Sequence, residues 1–257
     1  MLNKTVKYLI VILAGVIIFG CITIAVIAGK NSRKTLVCSG LEVIVLDSLE
    51  NDFVKSKDVR KFLDKGYGQY TGVCIDSLDL SRIEDIVDGR SAVLKSEAYV
   101  TKDGILHIEV TQRKPIVRFQ KSEGGFYADK EGYVFPLQSS YASYVQVVDG
   151  DIPINMKSGH KGEIEDPVQK EWFLKVMGLV NFIENSKWKD MIVQIHVENG
   201  GELILIPRKG NERFIIGQPV NLEDKFGRIE KYYSAIASSG KEYSTVNLKY
   251  DGQIVCR

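Results

Sequence analysis

The sequence predicts an α+β protein: a single N-terminal transmembrane helix, a small β-α-α-β-β module, and a mostly antiparallel β domain with two helices. Three observations predict it. The run Tyr8–Gly29 carries no charged residue. The region after it reads strand, helix, helix, strand, strand. From Pro115 onward, short apolar strands are punctuated by Gly, Asn, Asp and Pro, with two helical patterns set among them.

The anchor comes first. As a helix, the 22 residues of Tyr8–Gly29 would span about 33 Å, against a bilayer core of about 30 Å. Two cleavable readings compete with it. Val26-Ile27-Ala28 has small residues at signal-peptidase offsets, but the apolar run exceeds an ordinary signal core. Ile18-Phe19-Gly20-Cys21 loosely matches a lipoprotein box, yet Phe19 is bulky and an apolar stretch, Ile22 to Ala28, follows Cys21. An uncleaved anchor fits best. Lys4 and Lys7 precede the run and Lys30, Arg33 and Lys34 follow it, so flanking charge alone gives no orientation.

The remaining chain is long enough for two domains. With 34 basic and 33 acidic residues the net charge is +1, so no global field favours nucleic acid. An apolar content of 44% and six prolines indicate a chain folded almost to its end. Outside the anchor the cysteines are Cys38, Cys74 and Cys256, an odd number, which leaves any disulfide undetermined.

Leu41 to Leu46 is an apolar, β-branched strand. Ser56 is placed to cap the helix that follows, with Val59, Phe62 and Leu63 on one face and Gly66-Tyr67-Gly68 ending it. A second helix over about Leu80 to Val87 turns Leu80, Ile83, Ile86 and Val87 inward, and Gly89 closes it. Ala92 to Thr101 and Ile105 to Thr111 form a hairpin around Lys102-Asp103-Gly104. Beyond the module, Ile116 to Phe119, Gly125 to Ala128, Tyr133 to Phe135 and Val145 to Val148 read as strands. Asp166-Pro167 starts a helix running to about Asn185. Ile192 to Glu198 and Leu203 to Pro207 flank Asn199-Gly200-Gly201, a hairpin turn, and Arg213 to Ile216 extends that meander. A last helix, about Leu222 to Ser238, carries Leu222, Phe226, Ile229, Tyr233 and Ile236 at helical spacing. Thr245 to Tyr250 is the final clear strand, and Gln253 to Arg257 follows it.

The catalytic inventory is thin. His107, His160 and His196 sit in unlike contexts with no ligand spacing. There is no CxxC pair, phosphate loop or nucleophile elbow, and Gly124-Gly125 and Gly200-Gly201 fall in hairpin turns rather than before helices. No catalytic, metal or cofactor residue is assigned. The basic stretch Arg113-Lys114-Pro115 reads as a solvated hinge between domains.

Glu109-Val110-Thr111-Gln112-Arg113-Lys114-Pro115-Ile116-Val117 resembles the junction of the FtsQ/DivIB family of bacterial cell-division proteins. There a POTRA module ends in an (E/Q)RKP segment that passes into a β domain; Val117 stands where the family usually has alanine. Phe126-Tyr127-Ala128-Asp129-Lys130-Glu131-Gly132-Tyr133-Val134-Phe135-Pro136-Leu137 resembles the family's hairpin, and Val148-Asp149-Gly150 its following strand end. Val246-Asn247-Leu248-Lys249-Tyr250 is similar to its V-D-L-R-Y strand, with asparagine and lysine in place of aspartate and arginine.

The resemblance implies a cytoplasmic head (1–7), a transmembrane helix (8–29), a juxtamembrane linker (30–40), a POTRA domain (41–112) and a β domain (113–257). The head would lie inside the cytoplasmic membrane and the bulk outside it, enriched at the division septum. It implies a non-enzymatic scaffold that recruits FtsB-like and FtsL-like coiled-coil proteins and helps control septal peptidoglycan synthesis. If Thr245 to Tyr250 is an edge strand, its free backbone groups can template a partner strand. Val246, Leu248, Lys249, Tyr250 and Gly252 are then the expected partner-binding residues, with Tyr250 as aromatic anchor. The competing reading makes Val246, Leu248 and Tyr250 an ordinary core strand. A POTRA-containing envelope transport or assembly accessory, and a membrane-anchored envelope hydrolase, are the alternative functions.

Overall fold

The computed structural model describes residues 13–25, 36–157 and 159–257. Helix α1 is described over residues 13–25. Among the described residues no helix is long and apolar enough to cross a membrane. The rest of Tyr8–Gly29, with the head and the basic cluster Lys30 to Lys34, lies outside the described residues. The chain divides into two compact units, one ending at Gln112 and the other starting at Arg113, with Leu49–Phe53 belonging to the second.

The first unit contains β1 (Gly40–Val45), α2 (Ser56–Gly66), α3 (Leu80–Asp88), β2 (Val93–Val100) and β3 (Ile105–Gln112). Its sheet has the order β1-β3-β2, with β1 parallel and β2 antiparallel to β3. Alternation along β3 buries Leu106, Ile108 and Val110 and turns His107 and Glu109 to the other face. Val59 and Leu63 from α2, and Ile83 and Val87 from α3, repeat at four-residue spacing and meet in the same core. Ser56 does not cap α2, contrary to the sequence reading. Lys55 is the extended residue before the helix and its carbonyl takes the first bonds, from Asp58 and Val59, so Ser56 is already helical. Asp79 caps α3 through the N–H of Arg82 at 3.0 Å.

The second unit contains β4 (Pro115–Lys121), β5 (Gly124–Asp129), β6 (Val134–Pro136), β7 (Gln146–Gly150), α4 (Pro167–Glu184), β8 (Ile192–Glu198), β9 (Glu202–Pro207), β10 (Arg213–Gly217), α5 (Leu222–Lys231), β11 (Thr245–Asn247) and β12 (Val255–Cys256). All nine strands join one sheet in the order β12-β11-β10-β9-β8-β7-β4-β5-β6. The sheet is mixed rather than simply antiparallel: β4 with β7, β7 with β8, and β10 with β11 run parallel. Helix crossovers explain the last two. The chain passes from β7 through α4 to β8 and from β10 through α5 to β11, and a crossover returns it to the same end of the sheet.

Asp166 caps α4 through the N–H groups of Val168 and Gln169, with Pro167 at the first helical position. The buried stripe Phe173, Val176, Leu179, Val180 and Ile183 packs in one cluster with Val117, Phe119, Val148 and Ile195 of the sheet. Near the end of α5 the regular helix widens into a π turn, Tyr232–Ile236, followed by a tight 3-10 turn, Ala237–Ser239. Tyr232 continues the buried face of Arg228 and Ile229 and is fully buried, and both Tyr232 and Tyr233 reach the Phe214 ring, at 5.5 and 5.6 Å. Phe53 fills a separate aromatic cluster of this unit, edge-on to Tyr127, Phe135 and Tyr141 at 5.3, 5.7 and 4.7 Å.

Candidate protein–protein interface

The junction motif packs against the second unit rather than standing in solvent. Arg113 Nη1 lies 2.9 Å from Asp129 Oδ2, and its guanidinium sits 3.4 Å from the centre of the Tyr133 ring. The other oxygen of Asp129 accepts the N–H groups of Glu131 and Tyr133 at 3.1 and 2.9 Å, shaping the turn between β5 and β6. Pro115 is buried as the first residue of β4, where its missing N–H costs least. Lys114 alone of the three is exposed, and it pairs with Glu50.

The other end of the sheet carries the residues expected to bind a partner. Thr245 to Tyr250 is not the edge. Regular pairing in β11 stops at Asn247, and β12 covers its outer side, Val246 opposite Cys256 and Asn247 opposite Val255. The seven residues after Tyr250 suffice because Gly252, at φ 69°, reverses the chain in a turn closed by Gln253 N–H to Tyr250 O at 3.2 Å. Thr245 and Arg257 exchange both backbone bonds, at 3.0 and 2.9 Å. In an antiparallel ladder the intervening residues point the opposite way, so the N–H and C=O of Cys256, and the C=O of Ile254 on the peptide shared with Val255, face away from β11. The last strand of the sheet is thus a two-residue segment with outward backbone groups.

The side chains sort into two sets. Val246 and Leu248 are fully buried in the core of the unit, which removes both from the set that can touch a partner. Tyr250 is 56% exposed. Lys249 spans to Glu202 on β9, its Nζ 2.7 and 2.9 Å from the two carboxylate oxygens, and that carboxylate raises the lysine above its ordinary range. Asn247 Oδ1 accepts the N–H of Lys249 at 2.9 Å. Beneath this hairpin lie two cations that sequence reasoning missed, Lys225 and Arg228 of α5, both almost wholly buried. Arg228 Nη1 donates to Tyr250 O and Gln253 O, each at 2.7 Å.

The first unit offers a contrasting edge. Strand β2 is outermost, but Glu84 Oε1 accepts the outward N–H of Ala98 at 2.7 Å, which blunts it against pairing. The histidines stay dispersed. His107 stacks on Tyr99 at 5.0 Å, and His196 Nδ1 lies 2.9 Å from Asp149. Among the described residues no group of three His, Cys, Asp or Glu is placed to hold a metal ion.

A family model described as FtsQ/DivIB, C-terminal related, matches residues 114–257, and one described as a POTRA-like domain matches residues 36–111. No curated protein matches the chain. The first match takes in more than half of the sequence and the whole nine-stranded sheet, β4 to β12. The chain belongs to the FtsQ/DivIB C-terminal-related family.

Proposed function

We propose that this protein is a membrane-tethered division scaffold whose second unit recruits FtsB-like and FtsL-like coiled-coil partners at its C-terminal hairpin. Tyr8–Gly29 is the membrane crossing in this reading, with the head in the cytoplasm and both units outside the membrane at the septum. Recruitment there helps control septal peptidoglycan synthesis, and the role is binding rather than catalysis.

One observation carries the reading: β12 ends the sheet with the carbonyl of Ile254 and the backbone groups of Cys256 turned outward, beside an exposed Tyr250. An extended partner segment adds as a tenth strand, its backbone supplying affinity. Tyr250 then offers an aromatic anchor beside that strand, and Lys249 sets charge preference at the rim. The partner-contact residues are accordingly Lys249, Tyr250 and Gly252 with β12, without Val246 and Leu248.

A fluorescent fusion of the full chain tests the reading in cells. Enrichment at the division site, with filaments or chains on depletion, supports it. A fusion spread evenly round the envelope throughout the cycle contradicts it, and loss of outer-membrane proteins on depletion would favour a transport accessory instead.

A further inference from the structure

Charged side chains are rarely this deeply buried, and α5 buries two of them one turn apart. Lys225 is 4% exposed and Arg228 3%. Lys225 Nζ donates to Ile216 O and Gln218 O, each at 2.7 Å, at the end of β10. Arg228 Nη1 donates to Tyr250 O and Gln253 O, and Nη2 lies 2.7 Å from Asp224, an acid one turn earlier on the helix with half its side chain in solvent. Burial pushes the Lys225 ammonium below the usual lysine range, and the Arg228 charge beside it adds to that. Two neighbouring desolvated cations are an expensive way to fill a helix face, and apolar residues of similar volume often serve stability as well or better.

The gain is local geometry. One nitrogen of Arg228 holds the first and last carbonyls of a single β-turn, whose own closing bond is long at 3.2 Å. That turn carries Tyr250 on one side and leads directly into Ile254 and Cys256 on the other. Arginine suits the task because its fork reaches the turn through one terminal nitrogen and Asp224 through the other, which a lysine ammonium cannot do in the same fixed plane.

We propose that Arg228 is the positioning residue of the partner-binding hairpin, fixing from α5 the turn that presents Tyr250 and the outward edge of β12. The inference rests on the scaffold reading above and names what keeps its binding edge ready. Without the guanidinium, the turn and β12 loosen together while the core of the unit stays packed.

The test uses the full chain with Arg228→Met and Arg228→Lys, read three ways: amide hydrogen exchange at Val255 and Arg257, whose N–H groups face β11, the thermal midpoint, and capture of the co-expressed FtsB-like coiled-coil protein of the same cell. Arg228→Met is expected to speed exchange in β12 and to lower capture about tenfold each, since a loosened hairpin opens locally. The midpoint is expected to move by less than about 3 °C. Arg228→Lys restores part of both local readouts. Exchange unchanged in Arg228→Met, or faster exchange with undiminished capture, overturns the positioning role. Should Arg228→Met unfold the unit, Arg228→Lys carries the test: a normal midpoint with fast exchange and weak capture supports the role, and wild-type values in both overturn it. Absence of capture by the unsubstituted chain overturns the scaffold reading itself and this inference with it, a result distinct from intact capture in the variants.

Discussion

Asp129 serves Arg113 with one carboxylate oxygen and the turn that follows β5 with the other. The pair is nearly dry, Arg113 with 14% and Asp129 with 4% of the side chain exposed, and its geometry is short at 2.9 Å. Asp129→Ala removes the anion and leaves the guanidinium against the Tyr133 ring without its charge partner. Breaking a buried pair from one side costs about 3–5 kcal/mol. Urea unfolding of the full chain is expected to show that loss; a change under about 1 kcal/mol, as for a surface pair, would contradict it.

Phe53 is a core residue of the second unit although it precedes that unit in sequence by some sixty positions. Its ring contacts three aromatic neighbours and is 6% exposed. Phe53→Ala leaves a cavity among Tyr127, Phe135 and Tyr141 and is expected to cost about 3–5 kcal/mol. The loss should appear as faster amide exchange in β5 and β6. Protection in those strands equal to wild type would contradict the assignment.

Tyr233 gives a pH signature. Burial raises its phenol far above the usual range, and a hydrogen bond to Glu212 adds to the rise. A raised folded-state value leaves stability intact below the unfolded tyrosine pKa, about 10, and removes it as pH climbs beyond that point. Lys225 works in the opposite sense, because its lowered value favours folding as pH rises toward the unfolded lysine value. The informative quantity is therefore the difference between chains. Tyr233→Phe is expected to lose stability less steeply than wild type above about pH 10. Parallel curves would contradict the burial assigned to this phenol.

Much of the second unit was legible in the sequence because its signals are local. Asn199-Gly200-Gly201 allows only a tight reversal between β8 and β9, and Gly200 and Gly201 both take positive φ there. Asp166-Pro167 marks the start of α4 to the residue. What stayed hidden lacked periodicity or ran against expectation. Strand β12 is two residues long and has no pattern to read, so Thr245 to Tyr250 looked like the edge. Val246 and Leu248 alternate as core residues do, and alternation alone does not tell an inner strand from an outer one. Lys225 and Arg228 lie on a helix face that composition marks as solvated, and only the fold turns their donors onto carbonyls of distant segments. Phe53 sits in a loop, where no repeat points to its partners. The π turn after Lys231 follows from packing of Tyr232 and Tyr233 on Phe214, which the helical spacing of Tyr233 and Ile236 did not announce.

The central claim is that the C-terminal hairpin binds the partner through β12 and Tyr250, and Tyr250→Glu tests it most directly. Tyr250 is more than half exposed and its side chain is outside the core cluster, so the charge is tolerated by the folded unit. Capture of the co-expressed FtsB-like protein by the full-length chain is to be measured alongside the thermal midpoint. The account predicts capture reduced at least about tenfold, as for loss of an aromatic anchor, with the midpoint unchanged. Undiminished capture by a folded Tyr250→Glu chain would contradict it.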